Sequence, residues 1–384
     1  MLNMRIFRES REKKILTRNG FTLIEVLVVV AVSAVIATGG FVMFSGYQKN
    51  QNIKLTLSEL AATIRDIQKR SVTQENGKQW GIRLSNGVSD SFQTWSGLSY
   101  ASGTPDQTYS LKRNIQFGNP PSGFTTDLIF QAMTGILGGD RIVTVNSGAG
   151  ALVGDVIINT RGKVTTRVEK GLVGYWHFDE GTSTVAYDAS GNANNGTLTN
   201  GPTWQSGVNC KAGECLNFNG TNNYVQVLNM NSLPLDSHAR SMTGWIKTNG
   251  TQSGRIVYFG YGGATTDLAF NLASGVSNDG KIYFIGYADD LAGSTVIGDG
   301  NWHFIAVTYD GTTVTLYVDG KFDSSAAKPN LNTSNVNTYP LVIGRQSYPD
   351  TLNYWYQNGW IDEVRVYNRA LSAQEVLDIY NDLK

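Results

Sequence analysis

The spacing of apolar residues separates a helical N-terminal segment from a long β-rich remainder. Residues 21–44 form an apolar run with a single charged residue, Glu25. Beyond this run, apolar residues recur at helical intervals, with charged residues between them. These apolar residues are Ile53, Leu57, Leu60, Ile64 and Ile67. The pattern predicts one continuous helix from about Phe21 to Val72, whose amphipathic outer half packs against a globular region of the same chain.

The first part of this helix has the length and polarity of a membrane span. Its 24 residues extend about 36 Å at ~1.5 Å per residue, enough to cross a hydrocarbon core of ~30 Å. Residues 1–20 carry six basic residues against two acidic ones, and positive charge favours the cytoplasmic side. We therefore expect the N-terminus inside the cell and everything after Phe44 outside the cytoplasmic membrane.

After residue 73 the apolar residues alternate in short segments, which predicts strands. The segments are WGIRLS, TYSLKRNIQF, DLIFQAM, RIVTVN and DVIINTRGKVTTRV, separated by Gly, Pro, Asn and Ser. The last segment contains a predicted hairpin turn at Arg161–Gly162. Residues 74–169 are therefore expected to form a small antiparallel sheet.

A second series of strands, rich in aromatic residues, occupies residues 171–384. In FIAVTYDGTTVTLYVDG, two alternating runs flank an Asp-Gly turn, which predicts a hairpin. The predicted core residues around this hairpin are Trp302, Ile305, Val307, Leu316 and Val318. Near the end of the chain, Ser372 and Glu375 form a capping-box pattern ahead of an apolar helical face, which predicts a short C-terminal helix.

The composition limits the kinds of partner. The formal charge is zero and the basic residues are spread along the chain apart from the N-terminal cluster, so we expect no nucleic-acid partner. Forty-three glycines with only eight prolines fit turn-rich β structure. Cys210 and Cys215 lie in the exported part, where a disulfide persists; two buried free thiols are the alternative.

The N-terminal segment resembles the signal of type IV prepilins and type II secretion pseudopilins. The resemblance rests on a basic leader, Gly20 and the stretch FTLIE that opens the apolar run. It implies cleavage between Gly20 and Phe21 by a prepilin peptidase, and N-methylation of Phe21. It also implies that Glu25 pairs with the amino terminus of a neighbouring pilin subunit during assembly in the bacterial cytoplasmic membrane.

The position of Glu25 agrees with that role on physical grounds. An ionised carboxylate inside a bilayer costs roughly 2.5 to 3.5 kcal/mol on insertion scales unless it finds a partner. The alternative is an ordinary membrane anchor in which Glu25 reaches the cytoplasmic interface. Two departures from the family pattern are Asn19, where Lys or Arg is common, and the absence of proline from the helix.

Residues 172–383 resemble the laminin G-like, concanavalin A-like jelly roll. The resemblance is carried by GYWHFDEGTSTVAYDASGNANNGTL, GECLNFNGTNNYVQV, NWHFIAVTYDGTTVTLYVDGK and GWIDEVRVYNRALSAQEVLDIY. Such domains often hold calcium, and the resemblance nominates Asp188, Asn195, Asp362 and, more weakly, Asp179 as ligands of a structural Ca²⁺. The alternative for YDASGNANNG is a loop built on Asx-turns.

Catalysis is not expected. The ExDxxE pattern of retaining glucanases of this fold is absent, and so are GxSxG, P-loop and Rossmann motifs. The three histidines, His177, His238 and His303, are isolated and have no zinc-ligand spacing. Tyr354, Trp355 and Tyr356 are candidates for stacking on sugar rings or protein partners, with core packing as the alternative.

These features predict four regions and one function. The regions are a leader (residues 1–20), a pilin helix (21–73) with its transmembrane half at 21–44, an α+β pilin-like part completed by residues 74–169, and an all-β jelly roll (171–384). The predicted protein is a minor pilin or pseudopilin-like subunit that displays an extracellular module for adhesion to a glycan or protein. A membrane-anchored glycan-active enzyme or accessory carbohydrate-binding module is the alternative.

Overall fold

The computed structural model describes residues 22–148, 152–228, 232–249, 254–259, 270–274, 279–286, 290–333, 340–346 and 355–384. The chain forms two compact units, residues 1–48 and 49–384. Helix α1 runs from Leu23 to Val72, as the apolar spacing predicts. Gly20 and Phe21 lie outside the described residues.

The first part of α1 is long and apolar enough to cross a membrane. Its most apolar stretch has a mean hydropathy of 2.5 and none of it is buried against protein. Large apolar side chains such as Leu23, Ile36 and Phe41 are about 70–80% exposed. This exposure fits a segment whose surroundings are lipid or other subunits.

The outer part of α1 packs on the next domain through the predicted face. Ile53, Leu57, Leu60, Ile64 and Ile67 are all buried in one cluster with residues of the following strands. Gly154 permits this approach, because a Cβ at that position would lie 2.6 Å from Leu57 Cδ1. We call residues 49–169 the head.

The head contains two four-stranded antiparallel sheets rather than one small sheet. The first has the order β3-β2-β1-β5 and the second β4-β6-β7-β8. The strands are β1 (Trp80–Ser85), β2 (Ser91–Ser96), β3 (Thr104–Ser110), β4 (Gln116–Asn119), β5 (Thr125–Phe130), β6 (Arg141–Asn146), β7 (Val153–Ile158) and β8 (Val164–Glu169). A 3-10 turn, Glu75–Gly77, precedes β1.

Residues 171–384, called the module, form a sandwich of two antiparallel sheets. One sheet has the order β10-β11-β14-β23-β16-β17-β18-β19; the other has β12-β13-β24-β15-β20-β21-β22, with β9 also paired to β24. The first half of the strands comprises β9 (Leu172–Trp176), β10 (Val185–Ala186), β11 (Gly196–Thr199), β12 (Thr203–Ser206), β13 (Glu214–Asn219), β14 (Tyr224–Val227), β15 (Arg240–Asn249) and β16 (Gly254–Phe259).

The second half comprises β17 (Phe270–Ser274), β18 (Lys281–Ile285), β19 (Leu291–Val296), β20 (Asp299–Tyr309), β21 (Thr313–Val318), β22 (Lys321–Ala327), β23 (Leu341–Ile343) and β24 (Asn358–Tyr367). The predicted hairpin is β20–β21, with its turn at Asp310–Gly311. Four of the five predicted core residues around it are buried, and Trp302 is half-buried. The jelly-roll sandwich is therefore confirmed.

Helix α2 (Ala373–Leu383) begins with the predicted capping box. The Ser372 hydroxyl accepts from the Glu375 backbone N–H, and the Glu375 carboxylate accepts from the Ser372 N–H. Val376, Ile379 and Leu383 are buried against the outer face of the second module sheet, in a cluster that includes Trp245 and Phe304. The short C-terminal helix is confirmed.

The head and the module share a buried boundary, which we call the seam. Strand β7 is buried on both faces, because its residues alternate between two clusters. Val156 and Ile158 belong to the cluster around α1, whereas Val153 and Ile157 belong to the cluster that contains α2 and Tyr367 of the module. The head and the module therefore form one compact unit without an intervening linker.

Candidate functional site

The beginning of α1 places Glu25 in a capping box that the sequence analysis did not identify. Glu25 Oε2 accepts hydrogen bonds from the Thr22 backbone N–H at 2.7 Å and from the Thr22 hydroxyl at 2.9 Å. The Glu25 N–H donates in return to the Thr22 hydroxyl at 3.3 Å. The carboxylate therefore faces the start of the helix.

The loop containing Asp188 and Asn195 is ordered by its own hydrogen bonds. Asp188 Oδ1 accepts from the backbone N–H groups of Tyr175 and Ser190, both at 2.9 Å. Its Oδ2 accepts from the Asn194 N–H and the Ser190 hydroxyl. The side chain of Asn195 accepts from the Asp188 N–H at 2.9 Å. This is the Asx-turn arrangement that was the alternative to a metal site.

The other two nominated ligands hold the loop closed by the Cys210–Cys215 disulfide. That disulfide is present, as predicted, with an S–S distance of 2.06 Å. Asp362 Oδ2 accepts from the N–H groups of Lys211 and Ala212 at 2.9 and 3.0 Å. Asp179 Oδ1 accepts from the Glu214 N–H at 2.7 Å. Burial raises the pKa of Asp362 well above its usual range.

The four nominated calcium ligands thus fall into two sets rather than one. In the described part of the chain, no group of three or more His, Cys, Asp or Glu side chains is arranged to hold a metal ion. Both carboxylate oxygens of Asp188 already accept hydrogen bonds from the protein. The residues as placed do not fit a shared calcium site, and calcium stays a prediction that rests on the resemblance.

Charged residues that were not predicted as a site meet at the seam. On the head, Arg167 Nη2 lies 3.1 Å from Asp155 Oδ2 and Arg167 Nε lies 2.7 Å from Glu169 Oε1. Arg167 also pairs with Asp382 of α2. On the module, Arg365 Nη2 lies 3.0 Å from Glu363 Oε2. Strands β7, β8 and β24 thus bring opposite charges together, with the carboxylates of Asp155, Glu169 and Glu363 buried and Arg167 partly exposed.

His177 links the two halves of this network. Its Nδ1 lies 2.8 Å from Glu363 Oε1 and its Nε2 lies 2.8 Å from the Thr144 hydroxyl of the head. Thr144 donates its single proton to Asp155 at 2.7 Å, so Nε2 must donate to Thr144. With Glu363 ionised, both ring nitrogens carry protons. Although burial lowers the pKa of His177, the charge and hydrogen bond of Glu363 raise it overall.

Two cavities of about 230 Å³ each lie beside the seam. One is lined by Asn119 and Arg141 of the head and by Asp179 and Glu214 of the module, among others. The other is lined by head residues near Phe117 and by the 188–195 loop of the module. Residues of both the head and the module therefore line each cavity.

The predicted aromatic site is described at two of its three residues. Tyr354 lies outside the described residues, Trp355 is 37% exposed and Tyr356 is half-buried. The indole ring of Trp355 lies 5.3 Å from the guanidinium carbon of Arg255, and the Arg255 backbone N–H donates to the Trp355 carbonyl at 3.0 Å. Trp355 thus presents an aromatic side chain next to a buried cation.

Two segments of this chain match family models. Residues 16–41 match the prokaryotic N-terminal methylation motif. Residues 219–377 match the concanavalin A-like lectin/glucanases superfamily. The chain therefore combines a prepilin-type N-terminus with a concanavalin A-like module, as the residue patterns predict. No curated protein matches the chain significantly.

Several solved structures show a partial similarity to this chain. The binding domain of Paraclostridial Mosquitocidal Protein 1 is 17% identical, with a TM-score of 0.43, over 55% of this chain and 52% of that one. Domain 4 of AbnA, a GH43 extracellular arabinanase from Geobacillus stearothermophilus solved with arabinotriose, is 20% identical, with a TM-score of 0.44, over 54% and 98%.

The botulinum neurotoxin serotype D binding domain is 14% identical, with a TM-score of 0.39, over 55% of this chain and 51% of that one. This chain thus spans about half the length of each of the two toxin binding domains, from the mosquitocidal protein and the neurotoxin, and nearly all of the arabinanase domain. At this similarity, no ligand of those proteins transfers to this chain.

Proposed function

We propose that this protein is a minor pilin or pseudopilin-like subunit that carries an extracellular binding module on a filament. The match of residues 16–41 to the methylation motif carries the proposal. The exposed apolar first part of α1 supports it, since such a surface needs lipid or neighbouring helices around it. The leader faces the cytoplasm and the module faces outward.

The N-terminal chemistry follows from the three residues of the motif. A prepilin peptidase cleaves between Gly20 and Phe21, which creates a new ammonium group four positions before Glu25. In a filament, the Glu25 carboxylate pairs with the ammonium group of a neighbouring subunit. This pairing offsets the free-energy cost of an unpaired charge in an apolar region. In the unassembled chain, Glu25 Oε2 accepts hydrogen bonds from the backbone N–H and the hydroxyl of Thr22.

The seam determines how the module is displayed. Because the head and the module share an apolar cluster and a buried ionic network, they resist separation. A load applied to the module passes through β7 into the cluster that packs against the outer part of α1. The module is thus held rigidly on the head, as adhesion under tension requires.

The module supplies recognition rather than catalysis in this proposal. Trp355 is an exposed aromatic residue of the module on which a sugar ring or an apolar partner side chain can stack. No step requires calcium. Whether calcium binds is tested separately by melting the chain with calcium and with a chelator; identical midpoints and no ion in the native protein would remove it.

Filament incorporation tests the proposal directly. The wild type and Glu25→Ala are expressed in the source organism, and sheared filaments are probed with an antibody against the module. We expect the wild type in the filament fraction and a loss of most of the signal for Glu25→Ala, with both chains cleaved equally. Glu59→Ala, outside the apolar run, is the matched control. Absence of the wild-type chain from filaments would refute the proposal.

A further inference from the structure

Arg255 is a buried cation whose side chain lacks the partners that a buried cation needs. It lies on β16 and is 5% exposed. Its Nε and Nη1 atoms are buried and have no hydrogen-bond partner among the residues that the structure describes. The electrostatic effects of Tyr258 and Asp290 raise its pKa, but by less than burial lowers it. Burial lowers the pKa of Arg255 to about 10, so it remains charged at neutral pH.

Other buried arginines of the module differ from Arg255. Arg240 is 1% exposed, and its terminal nitrogens donate to the His238 carbonyl at 2.9 Å and to the Thr333 hydroxyl at 2.7 Å. Arg365, also 1% exposed, pairs with Glu363. The fold therefore compensates buried guanidinium groups elsewhere. An uncompensated one is costly, and an anion from outside would remove that cost.

Trp355 completes a site at this position. It is exposed although it neighbours a buried residue, and its ring lies 5.3 Å from the Arg255 guanidinium carbon. Its φ of 45° is a left-handed conformation that a bulky residue rarely adopts. Such backbone strain persists where the surroundings enforce it, and it is common at ligand sites.

We infer that Arg255 and Trp355 bind an acidic saccharide, with the carboxylate of the sugar paired to the guanidinium of Arg255 and the sugar ring against Trp355. The inference rests on the proposed binding function of the module and names its ligand class. A carboxylate is the natural acceptor for a guanidinium, because two parallel hydrogen bonds form. The exposed indole favours a ligand that carries a ring next to its charge, and a bare inorganic anion has no such ring.

The test compares matched charged and uncharged probes. Full-length protein, in a zwitterionic detergent without a sugar headgroup, is titrated calorimetrically with tri-galacturonate, with galactotriose and with inorganic sulfate. We expect tri-galacturonate to bind at least about tenfold more tightly than galactotriose, and sulfate to bind more weakly than tri-galacturonate. Equal binding of the two saccharides would overturn the inference, as would sulfate binding as tightly as tri-galacturonate.

Variants assign the preference to the two residues. Arg255→Gln should abolish the preference for tri-galacturonate. Trp355→Ala should weaken the binding of both saccharides. Arg113→Gln, an exposed arginine of the head, makes the same charge change, and Phe322→Ala removes another exposed aromatic ring; both should bind like the wild type. Retention of the full preference by Arg255→Gln would refute the site.

Further measurements distinguish loss of the acidic site from misfolding and from failure of the proposed binding function of the module. Arg255→Lys retains the charge but lacks the two adjacent N–H donors of a guanidinium. It should therefore keep the melting midpoint and still lose most of the preference for tri-galacturonate over galactotriose. A drop of the midpoint with unchanged preference would show a structural arginine and refute the inference. Binding of galactotriose or of a matrix protein without acid preference would refute the acidic site yet leave the binding module intact.

Discussion

The imidazole of His177, in the module, donates a hydrogen bond to the hydroxyl of Thr144, in the head, at a distance of 2.8 Å. The Thr144 hydroxyl in turn donates a hydrogen bond to Asp155 at 2.7 Å, so one short chain of hydrogen bonds crosses the seam. On the other side of the ring, Glu363 accepts from His177. The charges that this chain joins are buried, so they hold the two domains together only while every member is paired.

Removal of the Thr144 hydroxyl should therefore destabilise the whole chain. In Thr144→Val, His177 loses an acceptor and Asp155 loses a donor, both without access to water. We expect the free energy of unfolding to fall by about 1–3 kcal/mol. Thr197→Val, at an exposed strand position, is the matched control and should change it by less than about 0.5 kcal/mol. Equal effects in urea denaturation would contradict the network.

The module should be less stable without the head. A chain of residues 171–384 exposes Tyr367 and Leu371, which share a cluster with Val153 and Ile157 of the head, and leaves His177 without Thr144. We expect its thermal midpoint to lie several degrees below that of residues 49–384. The comparison uses circular dichroism at equal concentration. Identical midpoints would show that the seam contributes nothing to the stability of the module.

The stability contributed by His303 should depend on pH. The hydrogen bond to Asp319 at 2.9 Å raises the pKa of His303, against an opposing effect of burial. A raised folded pKa means that the contribution is complete below about pH 6.5 and is lost as pH rises through the folded value. Because the ring is partly exposed, we expect roughly 0.5–1 kcal/mol.

His303→Gln tests this sign. The difference in free energy of unfolding between wild type and variant should be largest below about pH 6.5 and should shrink as pH rises through the raised pKa of His303, because other titrating groups are common to both chains. His238→Gln, at an exposed position, provides the control. A difference that grows with pH would contradict the assignment.

The disulfide should have a modest effect. Cys210 and Cys215 close a loop with a sequence separation of five, for which chain entropy gives about 2 kcal/mol. Asp179 and Asp362 also hold this loop through backbone hydrogen bonds. We therefore expect a Cys210→Ser, Cys215→Ser double variant to remain folded and to lose about 2 kcal/mol or less, measured by denaturant titration. Loss of the fold would show that the bond is essential.

Local patterns predicted much of the fold. Apolar spacing identified α1, the Asp-Gly turn identified the β20–β21 hairpin, and Ser372 with Glu375 identified the start of α2. Strand β2 was missed because SFQTWS is mostly polar, although Phe92 and Trp95 are buried. Two sheets in the head were also not foreseen, since sheet membership depends on pairing between distant strands.

The sites were predictable only where they depend on local sequence. Glu25 stood out because it interrupts an apolar run. Asp362 was nominated for calcium, but it holds backbone N–H groups some 150 residues away in the chain, which no local pattern reveals. His177 and Thr144 meet only through the seam. Arg255 within GRIVYF resembles a surface residue of a strand, and only its burial without partners distinguishes it.

The mature N-terminus is the most direct test of the central claim. The full chain is co-expressed with a prepilin peptidase, and the purified protein is measured by intact mass and N-terminal peptide mass spectrometry, with Gly20→Val as the uncleavable control. The account predicts a chain that begins at N-methyl-Phe21, and no processing of the control. A wild-type chain that retains Met1 to Gly20 under these conditions would contradict it.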